Sequence, residues 1–198
     1  MYIFAGRTYQ DRQKDLWVYD PKSDSWEEIK YKGNCSIRSG GVGVLWKDSI
    51  SGYSYWVLHG GMSELRFGNM RQSSVDRYCF DTNTFEPVIC EGAPARNCHD
   101  AWVSGDEMFI CFGDEGEEQL KNDIFKMNLR SFKWSKVECK NVHLAQPVHS
   151  ASIALMGDYV YTFGGQDDLH VIDNCGQFHP IEFSLISPLP NFVMLQQN

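Results

Sequence analysis

Residues Arg96–Val137 read RNCHDAWVSGDEMFICFGDEGEEQLKNDIFKMNLRSFKWSKV, and their order decides the fold. An apolar run, Met108–Phe112, stops at Gly113-Asp114. After an acidic loop a second run follows, Asp123–Met127, and ends at Asn128. Trp134 stands six residues past Asn128. Runs of this length bounded by turn residues read as strands.

The same order recurs along the chain. Apolar runs that stop at a glycine pair or its remnant end at Gly6, Gly61, Asp114 and Gly165, spaced 55, 53 and 51 residues. The second runs are Leu16–Asp20, Arg77–Asp81, Ile124–Asn128 and Leu169–Asp173. Six residues beyond each stand Trp26, Pro87, Trp134 and His179. A third landmark precedes the apolar runs: Arg38-Ser39-Gly40-Gly41, Arg96-Asn97-Cys98-His99 and Pro147-Val148-His149-Ser150. In this register Ala5 and Asp114 stand where the other units carry glycine, and His99 matches His149. A period near 50 residues marks a repeat architecture, each repeat being one supersecondary unit.

The pattern resembles the kelch repeat, whose unit is a four-stranded blade of a β-propeller. The run Gly92–His99 looks like the form found in kelch proteins without an attached BTB domain. The resemblance covers residues 1–183 and implies an all-β, kelch-type β-propeller. Its four blades are expected over 1–32, 33–91, 92–142 and 143–183, with 184–198 as a tail or closing strand. Pro87 and His179 replace the family's tryptophan, and Gly41 replaces a histidine. The first unit begins at its second strand, so a fragment of a longer chain or a small ring is expected. On this reading Phe192–Leu195 pairs beside Tyr2–Phe4 and closes the first blade.

Composition narrows the class. The 198 residues are 42% hydrophobic and 14% aromatic, which supports a packed core, and the formal charge of −8 gives no basic footprint for nucleic acid. No apolar stretch reaches the 18 residues of a transmembrane helix, and no membrane partner is expected. The seven cysteines are odd in number, scattered and without a C-x-x-C pair, as in reduced thiols of a cytoplasmic or nuclear protein. Asn34-Cys35-Ser36 fits a glycosylation sequon and is read as a chance match.

No phosphate loop, zinc spacing or EF-hand loop is present, so no cofactor or metal is expected. The glycine pairs are read as tight strand exits, because glycine reaches positive φ without a Cβ penalty. Asp114 fits there because Asp tolerates that region better than most residues. His99 and His149 serve the fold, and Trp26 and Trp134 are pegs between blades. Pro87 fits an outer edge strand, where a missing donor is tolerated.

The arginines point to function. Arg7, Arg12, Arg66 and Arg71 lie in loops after the glycine positions, and Arg38 and Arg96 precede inner strands. The kelch resemblance implies that all these loops open on one face. Tyr9 and Phe67 lie in the same loops. Guanidinium forks suit carboxylates, and exposed aromatics add contact area. The expected function is a non-catalytic scaffold that binds a partner peptide or tail. A role as substrate receptor of a cullin ubiquitin ligase is implied by the resemblance. The alternative is a carbohydrate-active enzyme like galactose oxidase or the sugar-acid epimerases. A copper oxidase site would need converging Tyr and His ligands and a Tyr–Cys crosslink, and no such motif is recognisable.

Overall fold

The structure is a computed structural model that describes residues 1–63, 70–116, 119–167, 175–179 and 182–186. It is all-β, built as a succession of small antiparallel sheets like the blades of a kelch-type propeller. The first sheet has the order β1 (Tyr2–Phe4), β2 (Leu16–Asp20), β3 (Ser25–Glu28). The second sheet contains β4 (Lys32–Gly33), β5 (Val42–Lys47), β6 (Ser54–His59), β7 (Val75–Cys79) and β8 (Thr84–Val88), in the order β4-β8-β7-β6-β5. The third runs β9 (Asp100–Ser104), β10 (Glu107–Cys111), β11 (Ile124–Asn128), β12 (Trp134–Val137). The fourth runs β13 (Ser152–Met156), β14 (Tyr159–Phe163), β15 (Cys175–His179), β16 (Glu182–Ile186).

Successive sheets meet through their leading strands, β5 against β9 and β9 against β13. The core therefore lies between sheets. Val57 and Val75 of the second sheet pack with Met108, Ile110 and Met127 of the third. Phe109, Cys111 and Ile124 of the third pack with Val148 and Val160. Leu16 of the first packs with Leu58, Tyr78 and Phe85 of the second. β10 is buried on both faces, which accounts for its unbroken apolar run. Full burial of Met108 or Met127 stabilises by about 1.5–3 kcal/mol each. In β14 burial alternates, with Tyr159 and Phe163 partly exposed.

Several register assignments are corrected. The left-handed pair that ends each second strand is Ala5-Gly6 (φ 61°, 106°), Gly60-Gly61 (68°, 94°), Phe112-Gly113 (62°, 79°) and Gly164-Gly165 (70°, 105°). Asp114 is thus one residue past the pair, and the spacings are 55, 52 and 52. Phe112 takes the left-handed conformation despite its side chain because that side chain is buried in the apolar cluster between the third and fourth sheets. Glycine at the second position is required by close approach: a Cβ on Gly113 would lie 2.5 Å from the Asn97 carbonyl oxygen. The lead-in segments also realign. Gly40, Cys98 and Ser150 share positive φ, and the bridges Ser39↔Met62, Asn97↔Asp114 and His149↔Gln166 are equivalent. His149 therefore corresponds to Asn97, and His99 corresponds to Ala151.

In the fourth sheet the third strand is Cys175–His179, so His179 ends that strand instead of marking the fourth. The run Leu169–Asp173 lies outside the described residues, as does Phe192–Leu195 with its expected pairing to Tyr2–Phe4. Trp134 is buried and lies 4.7 Å from His59 of the preceding sheet, as a peg should. Trp26 is 49% exposed and packs on Tyr19 of its own sheet.

One connection is absent from the sequence reading. Lys32-Gly33 leaves the first sheet and pairs in parallel with Thr84-Phe85 on the outside of the second. A Cβ on Gly33 would stand 2.0 Å from the Phe85 carbonyl oxygen, so only glycine fits. Pro87 lies beyond this pairing and keeps its edge character. Glu91↔Lys133 repeats the parallel contact between the second and third sheets.

Candidate functional site: the loop face

The lead-in to each first strand and the hairpin after each second strand emerge at the same end of the sheets. Backbone bonds stitch these loops in register. The Gly6, Gly61 and Gly113 amides donate to the carbonyls of Arg38, Arg96 and Val148, at 3.0, 2.7 and 2.7 Å. The Cys98 and Ser150 amides donate to the carbonyls of Gly40 and Cys98, each at 2.8 Å. The result is a continuous rim formed by loops of successive sheets.

Arg38 and Arg96 do not present their guanidinium groups on this rim. Both are almost fully buried, 3% and 1% exposed. Arg38 donates to the Gly60 carbonyl at 2.9 Å and pairs with Asp76, which is wholly buried. Arg96 donates to the Phe112 carbonyl and to Asp123, both at 2.9 Å, and to Glu115 at 3.2 Å. In each case the arginine binds the carbonyl of the first left-handed residue, which a sheet cannot satisfy. Burial pulls the Arg38 pKa down, and the Asp76 carboxylate opposes that pull. These two arginines are spokes of the fold, a correction to the expected exposed cluster.

Arg12 is also turned inward, 3% exposed, with Nε on Ser39 Oγ at 2.7 Å and Nη2 beside Met62 Sδ. Arg71 is the register equivalent of Arg12, since Arg7↔Arg12 and Met62↔Arg71 are matching bridges. It pairs with Asp114, which also accepts from Asn97 Nδ2 at 2.9 Å and the Gly116 amide at 3.2 Å. Arg7 and Tyr9 remain at the surface, Tyr9 99% exposed on a turn closed by the Thr8 amide and Asp11 carbonyl. Arg66 and Phe67 lie outside the described residues.

A recess on this face, a cavity of about 240 Å³, is lined by Arg71, which sequence reasoning named, and by six residues that it did not assign to the binding site. Met62 and Arg71 come from the second sheet's hairpin, Asn97 and Cys98 from the third sheet's lead-in, Asp114 and Leu120 from its hairpin, and His149 from the fourth sheet's lead-in. The recess thus joins loops of three successive sheets. The signal in the sequence was the recurring lead-in, but the off-by-one register hid the equivalence of Asn97 and His149.

Beneath the rim lies a buried histidine pair. His59 Nε2 is 3.1 Å from the Pro94 carbonyl oxygen, and His59 Nδ1 is 2.9 Å from His99 Nε2. The carbonyl accepts, so His59 carries its proton on Nε2 and His99 donates to His59 Nδ1. His99 Nδ1 is then a buried acceptor without a hydrogen-bond partner. Burial first, then the Arg38 and Arg96 charges, hold His59 at a pKa of about 3; the Pro94 bond opposes them. His99 is lowered by burial, His59 and the same arginines. The pair is neutral and joins the second sheet to the third.

Among the described residues no group of three or more His, Cys, Asp or Glu side chains is placed to hold a metal ion, and no helix is long and apolar enough to cross a membrane. Cys35, Cys79, Cys90, Cys98 and Cys111 are free thiols.

The comparisons with known proteins accord with the repeat. The Kelch motif model matches residues 1–32. Kelch domain-containing protein 10 of Homo sapiens is 28% identical over 189 residues, covering 91% of this chain and 41% of that protein. The Xenopus laevis form is 28% identical over 176 residues, covering 83% and 40%. Kelch domain-containing protein 3 of Bos taurus is 27% identical over 225 residues, covering all of this chain and 55% of the relative. The chain spans about half or less of the length of these relatives. Repeat register, sheet succession and relatives agree in making the chain similar to kelch-repeat proteins.

Proposed function

We propose that this chain is a protein-interaction platform whose loop face binds an extended segment of another protein. The observation that supports it is the recess lined by loops of three successive sheets, with Arg7 and Tyr9 exposed on a fourth loop of the same kind. The backbone stitches fix these loops, so little ordering entropy is lost when a peptide docks. The burial of Arg12, Arg38 and Arg96 moves contact away from a guanidinium cluster and onto Arg7, Tyr9 and the recess. Recruitment of proteins to a ubiquitin ligase is the narrower form of this reading, and its support is the family resemblance alone.

A displayed random-peptide library tests the platform. Wild type is compared with an Arg7→Ala/Tyr9→Ala/His149→Ala variant, all three positions being exposed or half-exposed. Peptides captured by wild type are expected to bind the variant at least about tenfold more weakly, the loss of one moderate hot spot. Equal binding of every captured peptide by both proteins would remove the site from this face.

A further inference from the structure

The register reveals a missing side chain. Arg12, in the first sheet's hairpin, inserts toward Ser39 and Met62 of the second sheet. Arg71, at the same register position in the second hairpin, inserts toward Asp114 of the third, which Asn97 holds. The third hairpin carries Leu120 at this position, fixed by the bridge Asp114↔Leu120 and by the matching amide bonds of Gln13, Gln72 and Lys121 to Gly6, Gly61 and Gly113. Leucine is too short and lacks the donors to repeat the stitch. The recess opens at this junction, with Leu120 and His149 in its wall.

We infer that the recess is a socket for a guanidinium-bearing side chain of the partner, which supplies in trans the arginine that the third hairpin lacks. This inference rests on the platform reading and names its anchor. The positions that face Arg12 and Arg71 in the next sheet are Ser39/Met62 and Asn97/Asp114; here they are His149 and Gln166. Gln166 is exposed and offers a carboxamide oxygen, and the His149 ring offers a nitrogen beside its contact to Ser150 Oγ at 3.0 Å. Asp167 follows, held by Gln146 Nε2 at 2.8 Å. The local cations are each matched by a carboxylate: Arg71 by Asp114, Arg96 by Asp123 and Glu115, and Lys121 by Glu115 at 2.8 Å. No unmatched positive charge described there repels an incoming guanidinium. A planar fork suits two acceptors on adjacent loops better than a point charge does.

The test uses the whole chain and acetyl-Gly-Arg-Gly-amide as probe, with the citrulline, lysine and glutamate versions as controls. Titration calorimetry measures binding to wild type, to Leu120→Arg, and to His149→Ala/Gln166→Ala. The arginine probe is expected to bind wild type at least about tenfold more tightly than its neutral citrulline isostere. Leu120→Arg is expected to fill the socket from within, abolish probe binding and raise the melting temperature. Should Leu120→Arg fail to fold, the acceptor-deleted variant, altered only at accessible side chains, is expected to lose the probe by a similar factor. Undiminished binding by a folded Leu120→Arg, equal binding of the citrulline or glutamate probe, or no binding by wild type would each overturn the socket. The library experiment does not presuppose arginine, so peptides captured through Arg7 and Tyr9 would leave the platform standing while the socket falls.

Discussion

Replacing Arg38 by alanine is expected to cost about 3–5 kcal/mol of folding stability, measured by urea denaturation at neutral pH. The loss does not come from the pair's net attraction, which desolvation largely offsets. It comes from what stays behind. Asp76 is fully buried and would keep only the Ser36 amide, at 3.0 Å, among the donors described. The Gly60 carbonyl would also lose its 2.9 Å donor. An Arg38→Met/Asp76→Leu double variant removes both charges and is expected to recover much of the loss. If Arg38→Ala costs under about 1 kcal/mol, the guanidinium is a surface group and the spoke assignment is wrong.

Acid should loosen the junction between the second and third sheets well before it protonates the depressed carboxylates. The sign follows from the histidines. Folded His59 has a pKa near 3, against about 6.5 when unfolded, and His99 is shifted the same way. Between these values the unfolded chain binds protons that the folded chain refuses. Stability is therefore complete above about pH 6.5 and falls below it, by about 1.4 kcal/mol per pH unit for each ring. From pH 7.5 to 5.0 the pair accounts for a loss of about 4 kcal/mol. Depressed carboxylates such as Asp48, Asp106 and Asp20 act only below the ordinary carboxylate range, whereas Asp100, raised by burial, acts in the sense opposite to the histidines. Denaturation midpoints at the two pH values measure the loss, and His99→Gln should reduce it by about half. A stability independent of pH between 7.5 and 5.0 would contradict the neutral buried pair.

Much of the fold was legible because strand runs, turns and glycine exits recur in register. What failed has identifiable causes. Asp114 looked like a remnant glycine because Asp tolerates positive φ, yet the chain places Phe112 there, where burial of the ring outweighs a backbone cost of about 1–2 kcal/mol. The pairing of Lys32-Gly33 with Thr84-Phe85 was invisible because it spans about 50 residues and involves only two. The loop positions of the arginines were legible, but the directions of their side chains were not. A long side chain on a rim folds outward or inward according to what lies below. The acceptors that drew Arg38 and Arg96 inward are carbonyls created by the left-handed pair, and a sequence does not display carbonyls. The recess was hidden for a related reason: it is defined by Leu120, a residue notable only when its register partners are known to be Arg12 and Arg71.

Amide shift mapping would show whether the loop face is the binding surface. A peptide selected from the library is titrated into the isotopically labelled chain. Shifts should concentrate on the lead-in and hairpin loops, at Asn97, Cys98, Leu120 and His149 and around Tyr9, while β8 and β12 on the outside stay unmoved. Shifts confined to β8, β12 or the turns at the opposite end of the sheets, with the loop face silent, would contradict the account.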